Sequence, residues 1–107
     1  MKDFFDKEFH PTEMYKLINL LIQRKADFRV AEHFDTPMIF FRDANGSEIG
    51  DAICHRGSYG HENGELEIMG LDVTKEEYGD SVLGYLTAEE VLEHLDNCLK
   101  KGGENND

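Results

Sequence analysis

The stretch MIFFRDANGSEIGDAICH, residues 38–55, decides the fold of this chain. Its first four residues are all apolar, which is typical of a strand buried on both faces. Asn45-Gly46 follows, and this dipeptide is a strong signal of a tight hairpin turn. Residues 48–55 then alternate, with a glycine, an alanine and a cysteine on one face. The stretch predicts two antiparallel strands, the second packed closely against a neighbour through its small residues, and a helix is the natural candidate for that neighbour.

Upstream of the hairpin, the sequence predicts one helix and one further strand. Residues 27–34 alternate with a period of two, the pattern of a half-buried strand. Pro11 suits the first turn of the preceding helix. The apolar residues of that helix recur at the spacing of a single face: Met14, Leu17, Ile18 and Leu21.

Downstream, residues 65–71 alternate again and predict a fourth strand, whereas residues 72–80 predict a loop with room for one turn of helix. Thr87 and Glu90 have the spacing of a capping box, so we expect the C-terminal helix to begin there. Gly102-Gly103 are expected to end that helix, which makes residues 102–107 a disordered tail.

The expected fold is therefore α+β, in the order α-β-β-β-β-α, with residues 1–101 forming a single domain. The four strands form an antiparallel meander, and both helices cover one of its faces, which gives two layers. A second copy is able to cover the other face, and we expect a homodimer.

Composition and charge exclude several classes of function. The chain has 107 residues, 23 of them acidic and 11 basic, and its formal net charge of -12 repels nucleic acid and anionic membranes. Its longest apolar run is four residues, far below the roughly 20 that span a bilayer. The first residues carry no recognisable secretory signal. We therefore expect a protein of the host-cell cytoplasm that binds neither nucleic acid nor membrane directly.

Residues 55–64, HRGSYGHENG, concentrate more potential chemistry than any other segment. The spacing of their glycines matches neither a Walker loop nor a dinucleotide fingerprint. One interpretation is a structural loop whose glycines adopt positive φ angles. The other is a binding loop for a nucleotide-like ligand, formed by Arg56, Ser58, Tyr59 and His61.

The spacing of the cysteines and histidines argues against a metal site or a catalytic set. Cys54 and His55 are consecutive in a strand and point to opposite faces, and no zinc-binding spacing is present. We expect Cys54 and Cys98 to be free thiols that pack as small apolar residues. No cofactor, metal or enzymatic activity is expected, and a hydrolase that uses His55 or His61 is the weakest hypothesis.

Charge is segregated along the chain. Residues 62–96 hold eleven acidic residues and one basic residue, whereas residues 1–61 hold ten and eight. One interpretation is a solvated face that keeps a small protein soluble. The other is an acidic surface that meets a basic, nucleic-acid-binding surface of a host protein. The candidate contact residues for that surface are Glu65, Glu67, Glu76, Glu77, Glu89 and Glu93.

Three segments carry a resemblance to a known class of proteins: residues 54–64 (CHRGSYGHENG), 66–71 (LEIMGL) and 82–91 (VLGYLTAEEV). They resemble small accessory proteins of phages and prophages of Gram-positive bacteria. The resemblance implies an origin in a phage or mobile element, where such proteins often act against the host or its defences by stoichiometric binding. It carries over no catalytic or binding residue. We therefore expect a non-enzymatic anti-defence protein, with the nucleotide-like ligand binder as the alternative.

Overall fold

A computed structural model describes residues 10–105 of the chain, and the side chains of residues 10–101. It contains three helices and five strands within that range. In chain order these are α1 (Thr12–Gln23), β1 (Phe28–His33), β2 (Thr36–Arg42), β3 (Glu48–Ile53), β4 (Leu66–Gly70), α2 (Lys75–Tyr78), β5 (Val82–Leu86) and α3 (Ala88–Asn105). A single 3-10 turn, His61–Asn63, lies between β3 and β4.

The strands form one antiparallel meander in the order β1-β2-β3-β4-β5. The predicted α+β class is confirmed, but the prediction of four strands is wrong, because β5 pairs with β4. The period-two pattern fails in β5 for a physical reason. Leu66 pairs with Leu86 and Ile68 pairs with Leu83, so β5 has two residues where β4 has one. This bulge hides the alternation by which a strand is recognised.

The region between β4 and β5 contains the single turn of helix that the predicted loop allowed, α2. Thr74 caps the short helix α2 by accepting a hydrogen bond from the backbone N–H of Glu77. Helix α3 extends to Asn105, so it continues through Gly102 and Gly103, where the sequence predicted its end. The last two residues of the expected tail, 106–107, lie outside the described residues, as do residues 1–9 of the expected domain.

The core lies between the sheet and helices α1 and α3, which cover the same face. Its fully buried side chains include Leu17 and Leu21 of α1, Ile39 and Phe41 of β2, Ala52 of β3, Leu66 and Ile68 of β4, and Val91 of α3. The small side chains of β3 therefore face the helices, as the sequence predicted. Among residues 10–105, no helix packs on the opposite side of the sheet.

Helices α1 and α3 run in the same direction. The Ala88 backbone N–H donates to the Glu13 carboxylate at 2.8 Å, Lys16 pairs with Glu89 at 2.7 Å, and Arg24 pairs with Asp96. These contacts follow both helices in chain order, so their N-terminal ends lie together. The carboxylate of Glu13 thus satisfies a donor at the start of α3, where negative charge is favourable.

The predicted capping box forms at the start of α3. The Thr87 backbone N–H donates to Glu90 Oε1 at 2.9 Å, and the Glu90 N–H donates to Thr87 Oγ1 at 3.2 Å. Each residue therefore satisfies the other's backbone donor, which is the reciprocity that defines the motif.

Candidate functional site

The side of the sheet that faces away from α1 and α3 is the candidate site, and we call it the open face. Its side chains alternate along the strands with those of the core, and the adjoining loops add further groups. It carries Arg29, Ala31, His33, Met38, Phe40, Asp51, Ile53, Glu67 and Met69, with Tyr59 and Tyr85 beside Glu67. Most of these side chains are partly buried, whereas Met69 is 48% exposed. The face thus combines apolar, aromatic and charged groups, and none of the helices in the described part of the chain covers it.

Asp51 and Glu67 form a like-charged pair at the centre of the open face. Asp51 pairs with Met69, and Glu67 lies two residues before Met69 on the same strand, so the two carboxylates are diagonal neighbours. Burial raises the pKa of Asp51, Glu67 raises it further, and His33 opposes the shift. Among the described residues, Asp51 forms no hydrogen bond and no ion pair. The fold therefore holds a partly desolvated carboxylate beside another, and no cation of the described residues forms an ion pair with it.

Two tyrosines stand beside this carboxylate pair. Tyr59 and Tyr85 lie nearly parallel, with ring centroids 6.4 Å apart and planes inclined by 19°, and each is more than half exposed. The Tyr85 N–H donates to the Tyr59 carbonyl at 3.3 Å, while the Tyr59 N–H donates to Glu67 Oε1 at 2.9 Å. Gly84 makes the arrangement possible, since a Cβ at that position would overlap Cβ of Tyr59.

The segment 55–64 uses much of its polar chemistry to hold its own shape. Ser58 is buried, and its hydroxyl accepts from the His55 N–H at 3.0 Å and donates to the His55 carbonyl at 2.8 Å. His61 Nδ1 lies 2.6 Å from the Ser58 carbonyl oxygen. Gly60 and Gly64 both adopt positive φ, as the structural interpretation of this loop expects. Of the four residues predicted to bind a ligand, Arg56 and Tyr59 are exposed, and Tyr59 belongs to the open face.

An aromatic cluster lies at the turn between β1 and β2. The rings of His33, Phe34 and His55 have centroids 4.5 to 5.0 Å apart. Phe34 is 73% exposed, and both Phe34 and Asp35 have positive φ angles, of 52° and 64°. Bulky residues rarely adopt this conformation, which Asn-Gly turns normally fill. Burial and the neighbouring His33 lower the pKa of His55.

The open face already binds one arginine of the chain itself. The Arg29 guanidinium lies 4.1 Å from the centroid of the Phe40 ring. It also donates to both carboxylate oxygens of Glu48, at 2.6 Å from Nε and 3.1 Å from Nη2. An aromatic face and a bidentate carboxylate therefore recognise a guanidinium on this side of the sheet.

The six acidic residues predicted to form one contact surface lie at different places. Glu67 is on the open face. Glu89 lies on α3, which covers the other face of the sheet, and it pairs with Lys16. This pairing lowers the pKa of Glu89 and gives its carboxylate a partner despite the neighbouring Glu93. Glu65 adjoins Gly60, and Glu76 and Glu77 lie on α2. Glu67 and Glu89 therefore lie on opposite sides of the sheet.

Four basic side chains form ion pairs with carboxylates of the same chain. Lys16, Arg24, Arg29 and Arg42 all pair with carboxylates of the same chain. Outside this network, Glu65, Glu76, Glu77 and Glu93 have no ion pair among the described residues. The excess of negative charge is therefore presented to solvent.

The two cysteines and the potential metal ligands were the other candidate groups. Both cysteines are free thiols, with Cys54 fully buried and Cys98 partly buried. Burial raises the pKa of Cys54 to about 11, which keeps the thiol protonated at neutral pH. No group of three or more potential metal ligands occurs among the described residues. Within the same range, no helix is long and apolar enough to cross a bilayer.

Comparison with known proteins finds no matching family model, no similar curated protein and no similar solved structure.

The sequence analysis named Tyr59 and Glu67 as candidate contact residues, but not their neighbours Asp51, Met69 and Tyr85. Tyr85 was missed because the bulge in β5 concealed the strand. Asp51 and Met69 lie in correctly predicted strands, but pairing register is needed to place them beside Glu67. The available signal was the alternation of β3, which put Asp51 on the face opposite Ala52 and Cys54.

Proposed function

We propose that this protein is a non-enzymatic accessory protein of phage type that binds a basic surface of a host protein through the open face. The phage setting rests on the sequence resemblance alone. The contact surface rests on the structure described above. The sequence alone favours the acidic C-terminal half, which includes residues 62–96, as the contact surface. Here the contact is centred on Asp51 and Glu67.

The single observation that carries the proposal is the unpaired carboxylate of Asp51 beside Glu67. Partial burial of two like charges disfavours the folded state, and the raised pKa of Asp51 reflects that penalty. A cation supplied by a partner would relieve the repulsion and would gain strength from the reduced dielectric. Perturbed carboxyl groups of this kind cluster at functional sites.

The apolar and aromatic groups of the open face supply the second component of a protein-binding surface. Met69, Tyr59 and Tyr85 are exposed close to Glu67, and aromatic residues and methionine are enriched in the centres of interfaces. The acidic residues Glu65, Glu76, Glu77 and Glu93 contribute long-range attraction for a basic partner. That attraction raises the rate of association more than the final affinity.

The negative charge of the open face disfavours two other binding partners, a second copy of this chain and an anionic nucleotide. A second copy on this face would place its own Asp51 and Glu67 near the same carboxylates, so like-charge repulsion opposes that arrangement. An anionic nucleotide at residues 55–64 meets the same field, and Ser58 and His61 are already bound within the loop. The homodimer and the cytoplasmic location stay predictions, and native mass spectrometry tests the first of them.

A fluorescent twelve-residue peptide of alternating arginine and serine tests the proposal by anisotropy. We expect the combined Asp51→Asn and Glu67→Gln variant to weaken binding by about tenfold or more, because two desolvated partners are lost. The matched control, Glu76→Gln with Glu77→Gln, removes the same charge from α2 and should weaken binding only by the change in long-range attraction. Equal losses in both variants, or no binding by the native protein in 50 mM salt, would contradict the proposal.

A further inference from the structure

We infer that Tyr59, Tyr85 and Glu67 form a binding site for a guanidinium group, so that the partner presents an arginine at this end of the open face. The inference rests on the proposed function, because it names the side chain that the open face receives. We call these three residues the tyrosine site.

The two rings provide exposed aromatic surface at a suitable distance. Aromatic pairs in direct contact have centroids about 4.5–7 Å apart, so a separation of 6.4 Å lies near the long end of that range. Each ring is more than half exposed and offers a face to a further planar group. A guanidinium is attracted to a tyrosine face when it lies within about 6 Å of the ring centroid.

Glu67 supplies the charge, and its position is fixed by the loop. One carboxylate oxygen, Oε1, accepts the N–H of Tyr59, which ties the carboxylate to the base of the tyrosine pair. Oε2 has no hydrogen bond to any described residue. A guanidinium that stacks on the tyrosines can therefore donate to this carboxylate, the combination that suits its planar fork of donors.

The same face shows that this combination recognises arginine. Arg29 stacks on Phe40 and donates to both oxygens of Glu48. The tyrosine site has the equivalent parts, an aromatic face and a carboxylate, but no arginine of the described chain occupies it.

The backbone at the tyrosine site adopts a conformation that is unfavourable for a bulky residue. Tyr85 has φ of 61°, in the left-handed region that tyrosine rarely adopts, and it lies in the bulge of β5. Its neighbour Gly84 leaves the space that Tyr59 fills. Strain of this kind persists where the surrounding structure enforces it, and it clusters at functional sites.

Proton–nitrogen correlation NMR of the full chain, titrated with N-acetylarginine amide, tests the site directly. The matched ligands are N-acetyllysine amide, which has the same charge without the plane, and N-acetylcitrulline amide, which has the plane without the charge. We expect arginine to shift the resonances of Tyr59, Tyr85 and Glu67, with lysine binding about three- to tenfold more weakly and citrulline more weakly still. Tyr85→Asn and Glu67→Gln should each abolish the arginine shifts.

The variants are chosen to keep the fold. Asparagine tolerates the left-handed backbone of position 85. Tyr59→Ala keeps the Cβ that packs on Gly84 and should also abolish the arginine shifts. Tyr15→Asn removes an equally exposed tyrosine from α1 and should leave the arginine shifts unchanged.

The outcomes separate this inference from the proposed function. If the arginine–serine peptide requires Asp51 and Glu67 but the arginine amide does not shift Tyr59 and Tyr85, the tyrosine site is wrong and the proposed function stands. Equal binding of lysine and arginine also overturns the site. If the arginine amide shifts the site but peptide binding does not depend on Asp51, the site stands and the proposed function fails.

Discussion

Asp51 and Glu67 lie diagonally across the neighbouring strands β3 and β4, on the side of the sheet that faces away from α1 and α3. Burial and Glu67 raise the pKa of Asp51, and no cation of the described residues forms an ion pair with its carboxylate. We expect Asp51→Asn to stabilise the protein at neutral pH by about 0.2–1 kcal/mol, the usual range for one cross-strand pair.

The pH dependence of that gain follows from the raised pKa of Asp51. The folded state favours the protonated carboxyl of Asp51. Its contribution to the free energy of unfolding is therefore fully present below the unfolded-state pKa of 3.8, and it is lost as the pH rises through the higher folded-state pKa. Urea unfolding at pH 7 and pH 4 should show a clear advantage for Asp51→Asn at pH 7 and a smaller one at pH 4. An advantage that does not shrink at pH 4 contradicts this account of Asp51.

The turn at Phe34 and Asp35 carries strain that a smaller residue would remove. We expect Phe34→Asn to raise the free energy of unfolding by roughly 1 kcal/mol, because asparagine adopts positive φ at lower cost. Thermal unfolding measures the change. Tyr15→Asn is the control, since it replaces an exposed aromatic residue on a helix with ordinary backbone angles and should be neutral or destabilising. A destabilised Phe34→Asn would show that contacts of the ring with His33 and His55 outweigh the strain.

The capping box should contribute measurably to the stability of α3. Thr87→Ala is expected to cost about 1 kcal/mol, and the double variant with Glu90→Ala should cost less than the sum of the single changes, because the two residues act as one unit. Glu93→Ala, one turn further along, removes a charge that repels Glu89 and should be close to neutral. Strict additivity at Thr87 and Glu90 would argue against the reciprocal hydrogen bonds.

The two cysteines should differ in reactivity in the native protein. Cys54 is fully buried with a pKa of about 11, whereas Cys98 is only partly buried. We expect an aromatic disulfide reagent at pH 8 to modify Cys98 at least about tenfold faster than Cys54, and both thiols rapidly in denaturant. In the Cys98→Ser variant only the slow phase should remain. A fast phase in that variant means that the layer between helices and sheet opens readily.

The sequence predicted the parts of this fold that depend on local chemistry. The hairpin at Asn45-Gly46, the face of α1 around Leu17 and the capping box at Thr87 all follow from patterns within a few residues. β5 could not be found in this way, because its bulge interrupts the alternation between Leu83 and Leu86. The turn at Phe34 and Asp35 places a bulky phenylalanine where asparagine, aspartate or glycine usually adopts positive φ, so its sequence gives no turn signal.

The candidate site was less predictable than the fold for a related reason. The sequence analysis assigned Tyr59 to a ligand-binding loop and Glu67 to an acidic contact surface. The two residues are in contact because of the path that residues 55–64 follow. Asp51 became relevant only when strand register placed it beside Glu67. Contacts between segments far apart in the sequence leave no pattern in either segment alone. The residues of the open face could therefore be grouped only once the strand register was known.

The most direct test of the proposed docking surface is a map of where a basic probe binds. We would titrate the isotopically labelled full chain with the arginine–serine peptide in 150 mM salt and follow every backbone amide by NMR. We predict that the largest shifts fall on β3, β4 and β5 around Asp51, Glu67, Met69 and Tyr85. Shifts concentrated on α2 and the exposed side of α3, around Glu76 and Glu93, would contradict the assignment of the open face as the binding surface.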